Sequence, residues 1–183
     1  PAVKGAVLIT SSTAEEASVE RDDLGGSLFS HFLVSGLRGA ADDDQDRKVT
    51  LEEVFGHAYE NTLARSAESR SGYQHPTYEY RIAGQKQLVV TRLEMPSYMS
   101  FGYESAGSYV VFDRSRGHVV AELSKEPGTE RKLWLPTGDY YIKKRLPNSV
   151  LMQKVGLTKG ESHRVRDHEM HTVPYEEDVT KGL

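Results

Sequence analysis

The chain has 183 residues, 37% hydrophobic and 27% charged, with a formal net charge of -4. That balance suits a globular protein of one large or two small domains and offers no basic surface to nucleic acid. No apolar run could span a bilayer, no signal-peptide pattern opens the chain, and cysteine is absent. Membrane association, disulfides, thiolate metal sites and a cysteine nucleophile within this chain are thereby excluded, and a cytoplasmic setting is expected.

The chain opens on Pro1 rather than Met, which reads as a processing boundary. Ala6-Val7-Leu8-Ile9-Thr10 is a continuous apolar run between Gly5 and Ser11-Ser12, the pattern of a central strand covered on both faces. Thr13 and Glu16 have capping-box spacing for one helical turn, and a polar loop follows from Ser18 to Asp23. A first helix is predicted from Ser27, where Leu28, Phe29, Phe32, Leu33 and Leu37 recur three and four apart. Gly36 and Gly39 weaken its end. A second helix is predicted from Thr50 as N-cap, with Glu53 three residues on and a stripe through Leu51, Val54, Phe55, Ala58, Tyr59, Thr62 and Leu63. After the polar stretch Ser66 to Gly72, residues 78–82 and 88–91 read as strands.

Beyond Pro96 the chain turns β-rich. Runs at 108–112, 119–123, 132–135, 140–144 and 150–155 are separated by turn signals at Arg116-Gly117, Pro127-Gly128, Pro136-Thr137-Gly138 and Lys159-Gly160. The expected fold class is α/β: a segment of strands and two main helices over residues 1–95, then a small antiparallel sandwich or barrel over 96–166. A charged C-terminal arm, 167–183, is expected to dock elsewhere on the protein.

Two stretches carry candidate chemistry. Asp42, Asp44, Asp46, Lys48 through its carbonyl, Thr50 and Glu53 fall at positions one, three, five, seven, nine and twelve of an EF-hand loop, with Val49 as the hydrophobic eighth. Oxygen donors at this spacing suit Ca²⁺. Arg47 departs from the pattern at the sixth position, where glycine is usual, and the alternative is an exposed acidic loop that starts a helix. The second stretch is the polar loop at the carboxyl end of the first strand, where α/β sheets collect ligands. There Glu20 would attract a cationic side chain and Arg21 an anionic one or a carbonyl, against the alternative of solvated surface pairs. The seven histidines, His163, His168 and His171 in the tail among them, read as surface or packing residues. No nucleophile elbow, P-loop or dinucleotide fingerprint occurs, so the chain is not a complete enzyme.

The order Ala6-Val7-Leu8-Ile9-Thr10-Ser11-Ser12-Thr13-Ala14, a loop ending in Gly26-Ser27-Leu28-Phe29, two helices, then Gln74-His75-Pro76 and a strand resembles the small-subunit half of caspase-like cysteine proteases. The likeness is greatest to bacterial members. It rests on Leu24 to Asp42 and on Val49-Thr50-Leu51-Glu52-Glu53, and covers about the first 93 residues. It implies half of a caspase-like α/β/α sandwich, joined non-covalently to an N-terminal large-subunit-like chain that carries the catalytic Cys and His. No catalytic residue is then expected here. Counting back without gaps from Gly26-Ser27 places the family's substrate loop on Ser18, Val19, Glu20 and Arg21, one wall of the groove for protein or peptide substrates. The loop aromatics of animal caspases are missing, and Glu20 implies cleavage after Arg or Lys. Rival expectations are a non-enzymatic calcium-responsive binding module and a pseudo-protease scaffold.

Overall fold

The computed structural model describes residues 5–16, 18–21, 24, 26–67, 72–82, 87–94 and 97–175. It is a mixed α/β structure in which strands predominate. β1 (Gly5–Thr10) is followed by the short hairpin of β2 (Glu20–Arg21) and β3 (Gly26–Ser27). Then come α1 (Leu28–Ser35), β4 (Lys48–Thr50) and α2 (Leu51–Ser66). Both helices start where local chemistry directs. Ser27 caps α1 by accepting from the Ser30 N–H, and Thr50 and Glu53 form a reciprocal capping box on α2.

α1 does not simply end. It widens into a π-type turn, Gly36–Ala40, that closes at Gly39 with φ 106°. A Cβ at Gly39 would lie 3.0 Å from the Lys132 carbonyl oxygen and 3.0 Å from the Trp134 ring, so both conformation and space require glycine.

β1 pairs with β5 (Thr77–Ile82) antiparallel, Val7 opposite Tyr80 and Ile9 opposite Tyr78. The helices cover one face only: Ile9 packs against Leu28, Phe29, Phe32 and Ala58, whereas Leu8 is 62% exposed. Of the two covered faces expected for this strand, one is covered among the described residues, where β1 and β5 form a two-stranded ribbon. An apolar run specifies two dry faces, but the helices of this chain reach just one. The Glu16 carboxylate, besides a bond from the Thr13 backbone as the expected capping box has it, accepts from the His75 backbone N–H at 2.8 Å and lies 2.6 Å from its Nδ1.

β6 (Val89–Arg92) pairs with β4. The β-rich part comprises β7 (Ser97–Phe101), β8 (Gly107–Asp113), β9 (Val119–Lys125), β10 (Arg131–Leu135), β11 (Gly138–Arg145), β12 (Ser149–Leu157), β13 (Ser162–Val165) and β14 (His171–Pro174). They form a three-stranded sheet, β10-β7-β13, and a five-stranded sheet, β14-β12-β11-β8-β9. The two share one core through Met99, Phe101, Leu133 and Val165 on one side and Tyr109, Val111, Ala121 and Ile142 on the other. All five expected strand runs are present. The antiparallel expectation has one exception, since β13 joins β7 in parallel. The arm residues His171–Pro174 add β14 along β12, and Asp167 accepts from the Tyr109 hydroxyl at 2.7 Å; residues 176–183 lie outside the described residues.

The helices and the sandwich share their interior. Val49, Val54, Leu93 and Trp134 form one cluster, and Ala40 enters the sandwich core. Buried Ser35 donates to the Glu122 carbonyl at 2.7 Å and accepts from the Glu122 N–H at 3.1 Å, closing a two-bond latch on β9. Arg65 pairs with the Glu122 carboxylate, with His31 Nε2 at 3.7 Å from its other oxygen. Burial pushes Glu122 towards its neutral form, but the His31 and Arg65 contacts outweigh that and hold its pKa below the ordinary value. Leaving a buried member of such a set unpaired costs about 1–3 kcal/mol.

His57 gives this interior a pH limit. Its ring lies against Phe32, and burial lowers its pKa from 6.5 to about 4. The unfolded chain binds this proton below pH 6.5, whereas the folded chain does so only near pH 4. Stability from this group is therefore complete above pH 6.5 and lost as pH falls towards 4, by up to roughly 3 kcal/mol. Denaturation midpoints measured from pH 7 to pH 4 should fall in this window, and His57→Leu should flatten the decline.

Candidate functional site

The loop leaving the carboxyl end of β1 is held by one side chain. Gln74, fully buried, accepts from the Val19 N–H at 2.9 Å and donates to the Ser11 carbonyl at 2.6 Å, while its own N–H donates to Ser66 Oγ at 2.9 Å. One amide thus joins the end of β1, the loop and the last turn of α2. Ser11 and Ser18 hydroxyls meet at 2.5 Å, and Val19 accepts from the Leu28 N–H at 2.9 Å. The Glu16–His75 pair closes the near side; the His75 backbone N–H and ring hold the Glu16 pKa below its usual value.

This frame brings Ser18, Val19, Glu20 and Arg21 onto one continuous rim. Ser18 and Glu20 are exposed and Val19 is half-buried. Glu20 and Arg21 form β2, opposite Ser27 and Gly26. The Arg21 side chain lies outside the described residues, as do Asp22 and Asp23. The Val19 N–H and carbonyl are engaged by Gln74 and Leu28, so the rim's chemical offer is the exposed Glu20 carboxylate, which could meet a cation. It contains no cysteine to act as nucleophile. The Gln74 clamp was not legible as a role in the sequence, because it joins residues 55 and 63 positions apart.

The acidic loop is a second, separate arrangement. Carboxylate oxygens of Asp42, Asp44 and Asp46 lie within 4.8 Å of one another. Asp44 accepts from the Asp46 N–H at 3.0 Å and Asp46 from the Lys48 N–H at 2.7 Å, so the loop is wound on its own carboxylates. Gln45 and Arg47 adopt φ 61° and 63°. Arg47, the residue in place of the usual glycine, therefore takes the left-handed turn that glycine would supply, at a cost of about 1 kcal/mol. Asp42 is 3% exposed, and burial with the nearby Asp44, Asp46 and Glu53 carboxylates raises its pKa to about 6.

Of the remaining expected ligands, Glu53 is engaged in the capping box, where its Oε2 accepts from the Thr50 N–H and hydroxyl, both at 2.8 Å. Lys48 places its ammonium on Asp46. The structure thus gathers three of the six expected residues as a carboxylate cluster, with Thr50 and Glu53 turned to each other. Two partners were not foreseen. Arg131 of β10 pairs with Asp43 at 2.5 Å, and Gln45 donates to the Glu130 carbonyl at 3.2 Å. No local spacing signals such contacts.

Removing the Gln74 amide leaves the Val19 N–H and Ser11 carbonyl without partners at about 1–3 kcal/mol. In Gln74→Ala, amide hydrogen exchange at Val19 should accelerate about tenfold or more while α1 amides change little; equal rates in both proteins would refute the clamp. No protein-family model, curated protein or solved structure matches this chain.

Proposed function

We propose that this chain is the small-subunit-like half of a caspase-like cysteine endopeptidase, forming one wall of the substrate groove beside an N-terminal large-subunit-like chain. The observation that carries the reading is the half-covered ribbon. β1 is apolar along its length, yet it pairs only with β5 and leaves Leu8 62% exposed among the described residues. A strand of this composition belongs inside a larger sheet with helices on both faces. A partner supplying strands beside β1 and a second helical layer over Leu8 would complete an α/β/α sandwich, as the sequence resemblance implies. The clamped loop at the carboxyl end of β1 would then border a groove whose nucleophile comes from the partner.

In this reading the partner's thiolate attacks the scissile carbonyl, and its histidine passes the proton to the leaving amine. The residues of this chain bind and orient. Ser18 and Val19 would line the extended peptide, and Glu20 would face an Arg or Lys side chain before the cut. The all-β module would stay attached through the Glu122 latch.

Co-expression with a cysteine- and histidine-bearing upstream chain tests this in two ways. The wild-type chain should co-purify with that partner, and Leu8→Asp should abolish co-purification while leaving the separate chain folded. The complex should cleave fluorogenic peptides ending in Arg or Lys over those ending in Asp, and Glu20→Ala should lower kcat/KM for Arg peptides tenfold or more, about 1.4 kcal/mol. Failure of the chains to associate would sink the proposal; preference for Asp would refute the role of Glu20.

A further inference from the structure

The carboxylate loop carries a feature that neither helix capping nor the groove explains. Asp42 is 3% exposed, and its Oδ1 is buried without any hydrogen-bond partner. An oxygen of an acidic group, removed from water and given no donor, is costly unless something else fills its coordination. The other charges nearby do not. Lys48 is committed to Asp46, and Arg131 to Asp43, with only a 3.5 Å contact to the Asp42 backbone carbonyl. The Asp42 carboxylate receives the Arg47 backbone N–H, which leaves Oδ1 without a donor, and the same carboxylate gathers with those of Asp44 and Asp46, an oxygen of each within 4.8 Å of the others.

We infer that Asp42, Asp44 and Asp46 form a Ca²⁺ site in which the ion takes the unpartnered Asp42 oxygen as its buried ligand. Three hard oxygen donors without a sulfur or imidazole in the cluster select an alkaline-earth ion over zinc or copper. Donors drawn from a wound loop, with exposed Asp44 and Asp46 open to water ligands, suit the variable coordination of Ca²⁺ better than the strict octahedron of Mg²⁺. Glu53, engaged with Thr50, would contribute a ligand only by giving up part of the capping box. Affinity should therefore be weak for such loops, on the order of 10⁻⁵ to 10⁻³ M.

The site has a structural consequence. Asp42 directly follows the Gly36–Ala40 turn, whose end is packed against β10, and Asp43 and Gln45 bind β10 residues. An ion on Asp42 would fix the loop at the junction of the helices with the sandwich, so binding should stabilise the whole chain. This inference rests on the loop alone and stands whether or not the chain proves to belong to a protease.

The single tryptophan, Trp134, lines a cleft with Asp46, Arg47 and Lys48, which offers a direct probe. Terbium should show tryptophan-sensitised luminescence with the full chain, and Ca²⁺ should displace it. Calorimetric titration should give saturable Ca²⁺ binding, with a rise in Tm. Asp44→Asn, a change at an exposed side chain, should weaken binding at least tenfold while keeping the metal-free Tm. Asp42→Asn should abolish binding and raise the metal-free Tm, a readout that separates it from misfolding. Absence of heat and of any Tm shift at 10 mM Ca²⁺ (roughly ten times the weakest expected Kd) would overturn the site, as would equal binding by both variants. Equal affinity for Mg²⁺ would overturn the choice of ion.

Discussion

The close approach at Gly39 is the constraint on which the rest of this structure depends. The backbone takes φ 106°, and a Cβ there would press to 3.0 Å on the Lys132 carbonyl and the Trp134 ring. It lets the chain leave α1, touch the sandwich and return towards α2 within a few residues. The latch of Ser35 on Glu122 lies just before it and the carboxylate loop just after it. Because these features are consecutive, helix packing, attachment of the β-rich part and geometry of the acidic loop are coupled. Packed interiors tolerate few arrangements, so a change at one of these points is felt at the others.

Two surfaces result, with different chemistry. On one side, the Gln74 side chain binds the Val19 N–H and the Ser11 carbonyl, its backbone N–H binds the Ser66 hydroxyl, and a polar loop becomes a defined rim. Hydrogen bonds made by a fully buried amide are worth most where the alternative is an unpaired group, which gives the rim its rigidity. On the other, the loop concentrates carboxylates and buries one of them without a partner. The first arrangement holds the exposed Glu20 carboxylate on a fixed polar edge. The second is suited to a hard cation.

Local chemistry was legible to the residue where it acts over three or four positions. Ser27 and Thr50 as caps, the apolar stripe of α2, the five β-rich runs and the spacing of Asp42, Asp44 and Asp46 could all be read directly. Short strands without strong alternation, β7, β13 and β14, were not, because pairing rather than composition makes them strands. Glu16 shows the same limit. Its spacing from Thr13 signals a cap, but nothing local signals its two contacts to His75, 59 positions on.

The sequence by itself determined the two helices and their caps, the five β-rich runs and which residue types stand at the rim and in the acidic loop, since those follow from periodicity, capping and spacing. Only the tertiary structure decided that β1 keeps one face bare and that Gln74 clamps the loop. It also decided that Arg47 takes the turn expected of glycine, and that an Asp42 oxygen is buried without a partner. These outcomes depend on groups tens of residues apart competing for the same hydrogen bonds and the same space, and no local pattern records which competitor prevails.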